Sequence, residues 1–125
     1  MQRTFMHSKI HRATVTDSNL NYVGSITISP ELLEAAGIGV YELVHVVNVN
    51  NGARFETYTI LDDSPNPPAG HIVVNGAAAR LVQTGDKVII ISYAQLTDEE
   101  RTDFKSRVVH VNDANEITET ALLSA

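Results

Sequence analysis

Residues 41–60 read YELVHVVNVNNGARFETYTI, with two runs rich in β-branched and aromatic residues on either side of Asn51-Gly52. Such residues suit a pleated, half-buried surface better than a helix. An Asn-Gly pair between two such runs predicts a β-hairpin closed by a two-residue type I′ turn, with strands over Tyr41 to Asn50 and Ala53 to Ile60.

Toward the C-terminus, Asp62 to Gly70 (DDSPNPPAG) holds three prolines. Proline has no backbone donor to give a ladder, so this stretch is a surface loop. His71 to Val74 is a short strand, Asn75 to Ala79 a turn of small residues, and Lys87 to Tyr93 (KVIIISY) a continuous apolar run typical of a central strand. Thr97-Asp98-Glu99-Glu100 opens a helix and Val108 to Val111 forms a last strand; the remaining C-terminal residues have little to bury and are expected to be loosely held.

Toward the N-terminus, Ser29-Pro30-Glu31 starts a helix with a capping hydroxyl, a proline at the first helical position and a carboxylate at the positive end of the dipole. Gly37 ends it after two turns. Tyr22 to Ile28 is extended with Gly24 in its middle, Asp17-Ser18-Asn19 is turn chemistry, and Arg3 to Thr16 makes one strand or two. Simple alternation puts Lys9, His11 and Ala13 on one face and Ile10, Arg12 and Thr14 on the other. About seven short strands with one clear helix predict a mainly β, small closed barrel, since closure removes exposed edges. No repeat or linker is visible, and 125 residues suit a single domain, 1–125.

The net charge of -6 repels nucleic acid and anionic membranes, although Arg3, Lys9 and Arg12 face only Asp17 within residues 1–24. With no cysteine, disulfides and thiolate chemistry are excluded. No apolar run has membrane-spanning length, and charges stand where a signal peptide needs its apolar core. The expected location is the cytoplasm.

Nucleophile-elbow, phosphate-loop and dinucleotide signatures are all missing. Lys9 between His7 and His11 opposes a metal there, and no metal site is expected. A glycine interrupting a strand, as Gly24 does, marks a bulge or a close backbone approach. A Gly-Ser bond has a second capacity: the hydroxyl can attack the preceding carbonyl in an N-to-O acyl shift when strain and an oxyanion stabiliser assist. Asn75-Gly76-Ala77-Ala78 is either a plain tight turn or a place where backbone N–H groups approach an anion. Lys9 and Arg54 are either solvated cations or carboxylate binders.

Motif order bears on these alternatives. SKIHRAxVT from Ser8, YxGSITI from Tyr22, PELLEAAGI from Pro30, NxNNGxRFxTY from Asn48, VNGAAARL from Val74 and TGDKVII from Thr84 together resemble the aspartate 1-decarboxylase family over about residues 3–105. The resemblance implies a double-psi β-barrel with one or two short helices. It implies self-cleavage between Gly24 and Ser25 into a 1–24 β chain and a 25–125 α chain, and a pyruvoyl cofactor made from Ser25, with neither metal nor pyridoxal phosphate. L-Aspartate, bound as a Schiff base, would become β-alanine and CO2 for pantothenate and coenzyme A synthesis. By the same resemblance Thr57 supports the cleavage oxyanion and contacts substrate, Tyr58 donates the proton, and Lys9 and Arg54 bind substrate; the small-residue Asn75–Ala78 segment is expected to bind it through backbone N–H groups. His11 and Tyr22 are supporting residues at most.

A homotetramer with active sites at subunit interfaces is also implied, and no motif speaks to a maturation partner. Alternation along residues 54–58 puts Arg54 and Tyr58 on the face opposite Thr57. Either a bulge intervenes, or Lys9, Arg54 and Tyr58 do not all come from the chain that supplies position 25. The loop 62–70 and the residues after Phe104 depart from the family pattern. The competing readings are an uncut homologue and a double-psi barrel acting as a binding module.

Overall fold

The structure, a computed structural model, describes residues 1–124. Strands β1 (Gln2–Thr14), β2 (Asp17–Asn19) and β3 (Ser25–Ile28) lead into helix α1 (Pro30–Ala36). Then come β4 (Leu43–Asn48), β5 (Arg54–Leu61), β6 (Ile72–Asn75), a 3-10 helix (Gly76–Leu81) and β7 (Lys87–Thr97). Helix α2 (Asp98–Arg101) and strands β8 (Lys105–Val111) and β9 (Ile117–Ser124) complete the order.

Hydrogen bonding links the strands as β2-β6-β3-β5-β4-β7-β1-β8-β9. The chain itself joins β1 to β2: Val15 N–H donates to Asp86 O (2.9 Å) beside β7, and Thr16 N–H donates to Ile72 O (2.9 Å) on β6. Taken as one strand, β1–β2 thus passes from β7 to β6 and closes a barrel, with β8 and β9 outside it. Exchanging β1/β2, β3 and β4 for β5, β6 and β7 leaves the pairing unchanged. The parallel pair β2–β6 maps onto β3–β5, and the antiparallel pair β1–β7 onto β4–β5. Each half reads strand, strand, short helix, strand, and the two interlocked halves make the double-psi β-barrel. This duplication is a property of pairing, carried by short elements whose residues differ, and so leaves no repeat in the sequence.

The core is filled by Ile10, Ile26, Ile28, Leu32, Val46 and Ile90, each fully buried. In β1 the register with β7 slips between Ile10 and Ala13, where Arg12 takes φ 62°. That bulge corrects the simple alternation, because it carries Ala13 onto the core side with Ile10.

Other expectations need correction. Asp17–Asn19 is strand, paired in parallel with Val73–Asn75, and the turn falls just after it. Gly24 lies before β3, in irregular chain, and not in a strand interior. Ser29 precedes α1 without capping it through its side chain, whereas Gly37 closes the helix at φ 66° as expected. The 51–52 turn is not type I′, which needs positive φ at both residues; only Gly52 (φ 74°) has it. Instead Asn48 N–H donates to Ala53 O (2.8 Å), and Asn48 Oδ1 accepts from Asn50 N–H (2.9 Å). The Asn48 amide also donates to Leu81 O and Asp86 Oδ2, which locks this wider loop onto the 3-10 helix. The tail is held as well, β9 pairing antiparallel with β8 along Ile117–Ser124. Its anchor is the buried Asn115, whose amide bonds Thr14 O and Gly70 O.

Candidate active site

Ile26 and Ile28 point into the core, so strand alternation turns Ser25 and Thr27 to the outer face of the sheet. Ser25 is nonetheless only 1% exposed, covered by its surroundings. Its hydroxyl donates to Val23 O (2.9 Å), and Asn75, the residue paired with it across β3–β6, donates through Nδ2 to Ser25 Oγ (3.1 Å) and Thr27 Oγ1 (3.1 Å). The expectation for the Asn75 turn concerned backbone donors, and the side-chain amide is what touches Ser25. Gly76, at φ 72°, lies so close to Gly24 that an added Cβ would sit 2.6 Å from Gly24 Cα. The barrel thus brings residues 22–25 and 75–76 together from distant parts of the sequence.

Tyr58 and Ser25 each stand one residue before the first rung of the parallel β3–β5 ladder, Ile26↔Thr59, and Thr57 and Gly24 each stand two before it. Tyr58 therefore neighbours Ser25 within one chain. The β4–β5 register runs from Leu43↔Tyr58 to Val47↔Arg54 without a shift, so no bulge intervenes. Arg54 and Tyr58 share the outer face, and Thr57 faces the other way.

Lys9 and Arg54 are not brought to Ser25 in this chain. Lys9 and His11 line a cavity of about 230 Å³ with His110 on β8. Arg54 lines another, of about 210 Å³, with His45, Phe55 and Glu56. Among the described residues His11 Nδ1 is buried without a partner, and burial together with the positive charges of Lys9 and His110 pushes its pKa down. Ala77 and Ala78 lie in the 3-10 helix that succeeds Asn75.

A larger cavity, about 630 Å³, opens beside Asn75 and Thr27, with the exposed Tyr22 and Tyr41 on its walls and Asp62 and His71 among its polar groups. The Tyr41 ring lies 6.2 Å from that of Tyr58. His71 Nδ1 and Asp62 Oδ2 are 2.5 Å apart, and Asp62 Oδ1 accepts from the Ser64 hydroxyl (2.6 Å). Thr27, Asp62 and His71 escaped the sequence reading. Thr27 was detectable from its shared parity with Ser25; the Asp62–His71 contact spans a proline-rich loop and carries no local signal. Among the described residues no group of three His, Asp or Glu side chains is placed to share a metal ion.

The Ser64 hydroxyl first, then His71, hold the Asp62 carboxyl below its ordinary pKa of 3.8. A depressed folded pKa means stabilisation that is present above the unfolded value and is lost as pH falls through the folded one. Asp62→Asn is expected to cost about 1–2 kcal/mol in urea unfolding at pH 7. The difference from wild type should close as pH drops below 3.8. A difference constant from pH 7 to 2 would show that the charge is not what Asp62 contributes.

Comparison with known proteins bears on the chemistry of this site. A sequence profile of the family described as aspartate decarboxylase matches residues 1–118. Aspartate 1-decarboxylase of Caldicellulosiruptor bescii is 60% identical over 112 residues, covering 90% of this chain and 85% of the relative. That of Ruminiclostridium cellulolyticum is 58% identical over 118 residues, covering 94% and 90%. The Campylobacter jejuni strain 81-176 enzyme is 56% identical over 118 residues, with the same coverage. A family profile spanning nearly the whole chain and relatives at this identity place the protein in the aspartate decarboxylase family.

Proposed function

We propose that this protein is an aspartate 1-decarboxylase, a carboxy-lyase that converts L-aspartate to β-alanine and CO2 after cutting itself between Gly24 and Ser25. The observation that carries the reading is Ser25 itself. Its hydroxyl is buried, donating to Val23 O and accepting from the Asn75 amide. The neighbouring Gly24 lies outside the strand, where its peptide unit can be attacked.

Ser25 Oγ attacks the Gly24 carbonyl carbon; the C–N bond breaks as its nitrogen takes a proton, leaving an ester. Thr57, two residues before the β3–β5 ladder as Gly24 is, supports the oxyanion. Loss of the Ser25 α-proton breaks the Cβ–O bond and releases residues 1–24 with a carboxylate end. Water then replaces the nitrogen of the dehydroalanine at position 25, which leaves as ammonia. The pyruvoyl group so formed supplies the electron sink for decarboxylation. The site suits the cut, because the Asn75 amide already donates to the serine oxygen that becomes a carboxylate oxygen, while its second bond, to Thr27, fixes its orientation.

Other groups bind and move protons. Arg54 and Lys9 offer a bidentate fork and a compact ammonium for the two carboxylates of aspartate. Tyr58, neighbouring position 25, hands a proton to the carbon that loses CO2. The Asn75–Ala78 segment lies along the substrate, His11 and Tyr22 support the cut, and the whole operates as a cytoplasmic homotetramer in pantothenate synthesis.

Intact mass decides the first step: two fragments, the larger beginning at a pyruvoyl group, support the reading. A full-length chain that stays uncut on heating would return the protein to the uncut-homologue or binding-module readings.

Tyr58 adjoins Ser25 in its own chain, whereas Lys9 and Arg54 each line a separate cavity, so both cations would come from a neighbouring subunit, and Lys9 is the one to test. Mixing inactive Ser25→Ala and Lys9→Ala subunits one to one before assembly should restore about a quarter of wild-type turnover, the random chance of pairing an intact position 25 with an intact Lys9. No recovery would place both in one chain.

A further inference from the structure

We propose that His45 is a positioning residue that keeps Glu56 away from Arg54 and so leaves the Arg54 guanidinium open to a carboxylate of the substrate; the proposal rests on the decarboxylase reading above. Val44 and Val46 are fully buried, so His45 on β4 points outward, as Arg54 and Glu56 do on β5. His45 and Glu56 are direct cross-strand partners, and Nε2 lies 3.3 Å from Glu56 Oε1. The imidazole is backed by Tyr93 on β7, with ring centroids 4.9 Å apart.

Arg54 and Glu56 are two residues apart on one strand face, about 7 Å between Cα atoms, which is well within reach of a bidentate pair. Yet among the described residues Arg54 forms no ion pair. Glu56 instead lies at ion-pair distance from His45. Arg54, His45 and Glu56 surround the same cavity of about 210 Å³. A Glu56 carboxylate released by His45 would turn to Arg54 and compete with any incoming carboxylate. His45 therefore acts on substrate affinity through Glu56, without touching the reacting atoms.

The test is steady-state β-alanine formation by processed, assembled enzyme, with processing checked by intact mass. His45→Leu should raise KM for aspartate about five- to tenfold with kcat within about twofold of wild type. His45→Gln, which keeps a donor, should stay near wild type. Glu56→Gln alone should leave KM equal or lower, and His45→Leu with Glu56→Gln should bring KM back to within about twofold of wild type. If the leucine variant fails to mature, His45→Asn, too short to reach Glu56, replaces it in the same comparison. An unmoved KM in the single variant, a raised KM in Glu56→Gln, or no recovery in the double variant each overturns the proposal. Wild-type protein that matures yet makes no β-alanine overturns the decarboxylase reading and this one with it, whereas turnover with unmoved KM overturns this one alone.

Discussion

Ser25→Ala is expected to yield a single full-length chain and no β-alanine, a loss of more than about a thousandfold in turnover. In the proposed mechanism the oxygen removed is the attacking atom of the cut and the atom whose departure from Cβ opens the way to the pyruvoyl group. No neighbour can replace it. The partners of Ser25 Oγ are the Val23 carbonyl and the Asn75 amide, neither of them a nucleophile. The fold should survive, because Asn75 keeps its bond to Thr27 and the lost hydrogen bonds cost about 1 kcal/mol each. Intact mass and an amino-acid assay for β-alanine check both halves. A cut or active alanine variant would remove Ser25 from the mechanism.

Gly76→Ala should nearly stop maturation although Gly76 is not at the scissile bond. Its φ of 72° disfavours any side chain, and a Cβ there would stand 2.6 Å from Gly24 Cα, 2.9 Å from Gly24 N and 3.3 Å from Tyr22 O. These are backbone atoms, which cannot swing aside as a side chain could, so the chain around residues 22–24 must move off the position that the proposed attack by Ser25 requires. A cost of about 1–3 kcal/mol in stability and at least a tenfold slower cut are expected. Gly24→Ala is the steric control, since a Cβ at Gly24 meets nothing within 4 Å. It should melt with the wild type. Thermal melting and a time course of cleavage by mass make the comparison, and wild-type cleavage in Gly76→Ala would show that the close approach is incidental.

Much of the site was legible residue by residue. Ser25, Asn75 and Gly76 stand out in the sequence, and the structure gathers them around residues 22–25, because a Gly-Ser bond and a run of small residues carry their meaning in side-chain size and chemistry. The partner of Ser25 was half seen: the turn drew notice for its backbone, while the Asn75 side chain reaches Ser25 only through the antiparallel register of β3 and β6. His45 and Glu56 drew no attention, as nothing local distinguishes a histidine that faces a carboxylate across a strand from one that faces water.

Propensity, φ requirements and capping all act within a few residues, and the hairpin strands within residues 41–60, the two-turn helix closed by Gly37 and the helix opened by Thr97 depend on them. Where neighbours in space overruled neighbours in sequence, expectation failed. Asp17–Asn19 became a strand because β6 offered it a ladder; the Asn51-Gly52 turn opened because Leu81 and Asp86 bind the Asn48 amide; the tail was ordered because Asn115 bonds Gly70 and Thr14. The sequence by itself determined most of the strands, the candidate scissile bond and the family. Tertiary structure alone decided which outward side chains meet, since a barrel's pairings join residues far apart in the chain, and contacts between distant residues leave no periodicity to read.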